Sequence, residues 1–195
     1  MNQAALQQQP LYPQLEALPE HLRGELINGR LVATPRPSGR HAIASAGLGM
    51  DIGSAYQRGR GGPGGWWILD EPELHLERDR LVVIPDLAGW RRERMPVPPA
   101  DHRFTVVPDW VCEVLSPTTA RRDRAEKMPL YARYAVEWLW LVDPLTQVLE
   151  SYQRHQGQWL QLANYAGEAE CRIPPFTEMV IELAALWLPE SPITD

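Results

Sequence analysis

The sequence predicts a mixed α/β (α+β) domain, a β-sheet flanked by helices and extended by antiparallel hairpins. Three observations carry this. Short apolar runs of strand length crowd residues 66–90, two longer segments at 38–58 and 118–135 have helical spacing, and Asn28-Gly29 sits between apolar flanks as a two-residue hairpin turn. The 195 residues suit one domain, taken as 13–195, after a polar, Gln-rich segment over 1–12 that is expected to be flexible.

In chain order, residues 24–34 form the hairpin. Residues 38–58 form a helix with Ser38 as cap and Ile43, Ala46, Met50 and Ala55 as its apolar positions. Residues 59–65, GRGGPGG, are a loop. The runs 66–69, 73–76, 81–84 and 87–90 read as strands, and 91–108 as a long loop rich in proline and arginine. Residues 110–115 form a buried strand, and 118–135 a helix capped by Thr118 or Thr119 and kinked or restarted by Pro129. The apolar run 137–143 is a central strand. A hairpin turns around His155-Gln156-Gly157, and MVIELAALW ends the domain as a strand and short helix.

With 44% hydrophobic and 23% charged residues the chain reads as a soluble globular protein, and a net charge of −6 argues against binding nucleic acid through bulk charge alone. Cys112 and Cys171 have neither metal nor disulfide spacing, and Cys112 reads as a buried thiol. No signal-peptide pattern and no membrane-length apolar window occur, so the cytoplasm is the expected location.

Two carboxylates stand where a core does not want them. Asp86 interrupts LVVIPDLAGW, and Glu113 lies on the strand DWVCEVLSP, on one face with Val111 and Leu115, while Trp110, Cys112 and Val114 take the other. If the two stretches pair as neighbouring strands, the carboxylates converge and call for a cation; oxygen ligands suit Mg²⁺. Lys127 lies on the following helix, four residues after Asp123, which is placed to orient it. The bland alternatives are a turn aspartate, a Glu113–arginine pair and a solvated lysine. His41 reads either as a phosphate contact or as a local helix-start hydrogen bond. His75, His102 and His155 read as surface or loop. Trp66, Trp67, Trp138 and Trp140 read as core, with Trp90 and Trp110 as walls of a site.

The segments IPD, CEVLSP and DRAEKMPLYARYAVEWLWLVDP, with GELINGRLV and SGRH upstream, resemble the Uma-two family of the PD-(D/E)XK, or restriction-endonuclease-like, superfamily, over roughly residues 15–185. The resemblance implies a Mg²⁺- or Mn²⁺-dependent endonuclease acting on nucleic acid, DNA foremost. It makes Asp86 and Glu113 metal ligands and catalytic residues, joined by the Val114 backbone carbonyl. The superfamily's lysine two residues after the glutamate is Leu115 here, so Lys127 stands in for it. Glu25 matches a family carboxylate that approaches the metal; on its residues alone it reads as a hairpin surface group. Arg121, Arg122 and Arg91 flank the ligand strands and read either as a basic rim for substrate or as a solvated loop and helix face. Alanine at Asp86, Glu113 or Lys127 is expected to abolish cutting while leaving the fold intact. Cutting both strands of a duplex requires two sites, hence a homodimer. The competing reading is a catalytically silent nucleic-acid or protein binding protein that retains the fold.

Overall fold

The structure, a computed structural model, describes residues 10–188. Thirteen strands and a few helices form three sheets. Helix α1 (Leu11–Glu16) precedes β1 (Leu22–Ile27) and β2 (Arg30–Pro35), and α2 (Gly39–Ile52) widens into a π-turn at Gly53–Gln57. Then come β3 (Trp66–Asp70), β4 (Glu73–Glu77), β5 (Leu81–Val83), β6 (Leu87–Arg91), β7 (Arg103–Phe104) and β8 (Trp110–Val114). Helix α3, residues 120–133, is α-helical at both ends with a π-turn at Asp123–Lys127. Strands β9 (Trp138–Asp143), β10 (Val148–His155), β11 (Gln158–Ala166), β12 (Glu170–Ile173) and β13 (Phe176–Glu182) follow, and a 3₁₀ turn, Leu183–Leu186, closes the fold.

Both hairpins use the turn chemistry their sequences specify. Asn28 and Gly29 have φ of 51° and 70°, and Gln156 and Gly157 have φ of 50° and 82°, the left-handed pair that matches strand twist. The first hairpin is tethered to α3: Arg30 lies 3.0 Å from Glu126.

The expected single sheet is instead two large sheets and a hairpin. One sheet runs β2-β1-β5-β4-β7, the other β11-β10-β9-β8-β6-β3, and β12 pairs only with β13. The stretch LVVIPDLAGW is divided between them: β5 ends in the first sheet, Ile84-Pro85-Asp86 crosses over, and β6 begins in the second. Apolar strands of similar length carry no label for sheet membership, so this division was not legible. The pairing of the Asp86 and Glu113 stretches is present. β6 and β8 are antiparallel with Leu87 opposite Cys112 and Ala88 opposite Val111, and one further step sets Asp86 across from Glu113.

Strand β8 is buried along its whole length, with a core on each face. Trp110, Cys112 and Val114 pack with α2 and the β12–β13 hairpin; Val111 and Leu115 pack with α3 and the five-stranded sheet. Helix α3 makes the crossover from β8 to parallel β9. Pro129 does not break it. The π-turn ends just before, where the missing amide and the proline ring would crowd a regular turn.

Several expectations are corrected. Leu11 and Tyr12, placed in the flexible segment, belong to α1, and Tyr12 is buried; residues 1–9 lie outside the described residues. The buried face of α2 is His41, Ala44, Ser45, Leu48 and Ile52, whereas Ile43, Ala46 and Met50 are exposed. Ser38 and Thr119 occupy cap positions without a side-chain cap bond. Residues 91–108 are pinned: Met95 is buried, its carbonyl and that of Val106 accept from Trp67 and Trp90, and β7 joins β4. His75 is buried and bonded to Glu73. Trp90 and Trp110 are core residues in opposite layers rather than walls of a cavity.

Phe176 is the hub of the first core, with Tyr56, Trp66, Trp110 and Trp140 edge-on at centroid distances of 4.7, 5.1, 4.9 and 5.6 Å. Phe176→Ala is expected to cost about 3–5 kcal/mol, read from the urea midpoint. A loss under about 1 kcal/mol would contradict this packing.

Candidate metal and phosphate centre

The site lies where the two sheets meet. A cleft of about 270 Å³ is lined by residues from β1, the β5–β6 crossing, the end of β8, the Ser116–Thr119 turn and α3. Four acids reach it, Glu25, Asp86, Glu113 and Asp123, each at most 5% exposed. Burying so many carboxylates requires cations and hydrogen bonds nearby, and the cleft supplies them.

Lys127 is the centre of the arrangement. Its Nζ lies 2.7 Å from Glu113 Oε1 and 2.9 Å from Glu25 Oε1, and donates to the Ile84 carbonyl at 3.1 Å. Burial disfavours its charge, but Glu113, Glu25 and Asp123 together hold the ammonium above its ordinary pKa. One ammonium cannot neutralise three acids. Burial pushes the Glu113 carboxyl up to about 8; Lys127 opposes this, while Asp123, Asp86 and Glu25 add to it. Asp123 is raised in the same way, by burial first. Tyr131, one helical turn beyond Lys127, donates its hydroxyl to Glu113 Oε1 at 2.5 Å and fixes that carboxylate.

Asp86 is held differently. Its Oδ2 accepts from the Val114 amide at 2.7 Å and pairs with His41 Nε2 at 3.1 Å. Its Oδ1 accepts from Arg23 at 3.2 Å. Burial alone would raise this carboxyl, but His41, Arg23 and Lys127 outweigh it and hold it below the usual carboxylate range. Glu25, read as a surface group from its own residues, is inside the cleft, accepting the Ile84 amide at 2.9 Å. Arg122 Nε stands 3.9 Å from Glu25 Oε2 on the cleft wall.

The structure therefore brings together Glu25, Asp86, Glu113, Val114, Lys127 and Arg122. Arg121 is exposed at the start of α3 and is not part of the cleft lining. Arg91 does not line the cleft either: its guanidinium lies over Trp66 and 3.9 Å from Asp109. Arg124 is taken up by Glu150. Sequence reasoning passed over Arg23 and Tyr131. Arg23 shares the strand face of Glu25 by two-residue alternation, and Tyr131 the helix face of Lys127 by four-residue spacing.

Among the described residues, no group of three or more His, Cys, Asp or Glu side chains is arranged to hold a metal ion. The donor set still suits Mg²⁺. That ion is commonly held by one or two carboxylates and completes its shell with water and substrate phosphate oxygens. Asp86, in the crossing between sheets, and Glu113, on β8, are two such carboxylates, and both line the cleft.

Because Lys127 bridges two buried acids, its removal should be felt in stability, against the sequence expectation of an intact fold. In EDTA, Lys127→Ala is expected to lose about 3–5 kcal/mol in urea denaturation, since Glu25 and Glu113 lose their shared cation. Glu113→Gln leaves the Lys127–Glu25 pair and should lose far less. Equal midpoints for the two variants would contradict the bridging role.

A model of the family described as "Uma2: Putative restriction endonuclease" matches residues 10–185. Among solved structures, the chain is similar to one titled "Crystal structure of a putative nuclease belonging to DUF820 from Anabaena variabilis ATCC 29413", with a TM-score of 0.71 and 21% identity, over 90% of this chain and 96% of that one. At that identity the likeness shows a shared fold. Curated proteins give no match. The expected nuclease-like α+β fold is thus present, and since the family model spans most of the chain, the protein belongs to the Uma2 family.

Proposed function

We propose that this protein is a metal-dependent endonuclease that hydrolyses phosphodiester bonds of nucleic acid, DNA foremost. The observation that carries the reading is the cleft itself. Buried carboxylates from both sheets, the crossing between them and α3 converge beside one ammonium, in a cleft of about 270 Å³. Asp86 and Glu113 would hold Mg²⁺ or Mn²⁺, with the Val114 carbonyl and Glu25 as further oxygen donors. When bound, the divalent cation supplies a water nucleophile at neutral pH and polarises the scissile phosphate.

The chain's own residues then have distinct tasks. Lys127 neutralises charge that develops on the phosphate oxygens. It is presented by α3 and steadied by the Ile84 carbonyl. Arg23, His41 and the Val114 amide fix the Asp86 carboxylate, and Tyr131 fixes Glu113. Arg122 on the wall, with Arg121 at the exposed start of α3, takes flanking phosphates. Arg91, outside the cleft lining, is left out of this set. No covalent intermediate with the protein is required. One chain offers one such cleft, so a double-strand cut calls for a homodimer.

One observation favours the silent binding protein instead: Lys127 already occupies the space between Glu25 and Glu113. Nicking of supercoiled plasmid separates the two readings. Wild type should nick with Mg²⁺ or Mn²⁺ and not with EDTA. Asp86→Asn and Glu113→Gln, which keep shape and remove charge, should lower the rate at least a hundredfold. Metal-independent nicking, or full rates in both variants, would overturn the catalytic reading.

A further inference from the structure

A second and larger cavity, of about 730 Å³, adjoins the cleft, and His41 and Pro37 line both. It runs along the outer face of α2 and its π-turn, against β3 and the start of β6. The stretch from His41 to Gln57 covers roughly 24 Å at about 1.5 Å per residue. Its floor is aliphatic, with Ile68, Leu87 and an exposed Met50. Ala46 and Met50, two apolar positions of the helical pattern, line this groove.

Three features of the groove are suited to a ligand. The Nδ1 atom of His41 is buried without a hydrogen-bond partner among the described residues, on a side chain 10% exposed whose Nε2 faces Asp86. At the other end Arg58 and Arg60 line the groove, and neither guanidinium has an ion-pair or hydrogen-bond partner among the described residues. Between them α2 widens into its π-turn, a departure from regular helix common at functional sites. On the opposite wall Glu71 is neutralised by Arg23 at 2.9 Å. Asp70 is left as an acceptor for base amino groups.

We propose that this groove binds a single strand of polynucleotide continuing from the scissile phosphate, with backbone phosphates toward Arg58 and Arg60, bases on the aliphatic floor and His41 at the junction. The proposal rests on the reading of the cleft as a nuclease centre. A duplex keeps its bases stacked and shows a concave pocket only phosphates and groove edges. An unstacked strand places bases into such a pocket, and several nucleotides fit its length. The substrate class is thus single-stranded nucleic acid, or a single-stranded tail or flap.

The test is fluorescence anisotropy of the full chain in EDTA, where no cutting occurs. The probes are a fluorescein-labelled 12-nucleotide DNA of mixed sequence, the same sequence as RNA, and a hairpin duplex. Two variants probe the groove from different ends. Arg58→Gln/Arg60→Gln removes both cations; about tenfold weaker binding is expected, and a slope of log affinity on log salt shallower by about 1.4. Gly53→Phe fills the groove. Gly53 has φ −63°, and a Cβ there meets nothing within 4 Å, so the helix accepts the change while the ring takes the strand's place. Binding should weaken at least tenfold with an unchanged urea midpoint. Tighter binding of DNA or of RNA supports the groove and identifies the natural strand. Failure to bind either single strand, tighter binding of the duplex, or affinities within twofold of wild type in both variants overturns the proposal. Cleavage of the same labelled strands in Mn²⁺ is scored in parallel. Cleavage by wild type with single-strand affinity unchanged in both variants removes the groove and leaves the catalytic centre. Single-strand binding lost in the variants, without cleavage by wild type, keeps the groove and removes the catalysis.

Discussion

The Lys127 ammonium is the point on which the molecule turns. It touches Glu25 on β1, Glu113 on β8 and the Ile84 carbonyl in the crossing between sheets, and it is carried by α3. One buried cation thus links the five-stranded sheet, the six-stranded sheet and the helix between β8 and β9. Such a cluster is poor value as stabilisation alone, because desolvating four acids costs more than most ion pairs return. The Glu113 carboxyl is raised to about 8 by burial first, with Asp123, Asp86 and Glu25 adding to it against Lys127.

The crossing strand explains the geometry. Most chains keep a strand in one sheet; here residues 81–91 leave one sheet and enter another within three residues. Pro85 suits that corner, because it lacks the amide a sheet would have to pair. The turn brings Asp86 across from Glu113, on the seam rather than inside either sheet, where the Val114 amide, His41 and Arg23 satisfy it. Cleft and neighbouring groove then follow from one arrangement: α2 starts beside the seam and runs outward along β3.

Much of this was legible in the sequence, and the failures have physical causes. Asp86, Glu113 and Lys127 stood out because a charge in an apolar strand, or beside one, demands a partner. Asn28-Gly29 and Gln156-Gly157 were legible because left-handed turns admit few residue types. The buried face of α2 was not. Its inward positions include His41 and Ser45, while Met50 and Ile43 face outward, so hydrophobicity pointed to the wrong side. The pattern breaks because α2 lines an open groove on one side rather than only a core. Only the family resemblance placed Glu25 near the site; its own residues gave a surface group, for the opposite reason. A hairpin carboxylate looks exposed until the far strand and helix bring Lys127 against it. Arg91 sits beside the ligand strands in sequence, yet β6 carries it to the Trp66 and Asp109 end of the sheet.

Binding of a divalent cation by Asp86 and Glu113 on the seam is tested, without reference to any substrate, by isothermal titration of the metal-free protein with Mn²⁺. Wild type should bind saturably, with affinity weakened at least tenfold in both Asp86→Asn and Glu113→Gln and retained in Arg58→Gln/Arg60→Gln. Absent binding, or binding that both carboxylate variants keep at full strength, would contradict it and leave Lys127 and its acids as a structural core alone.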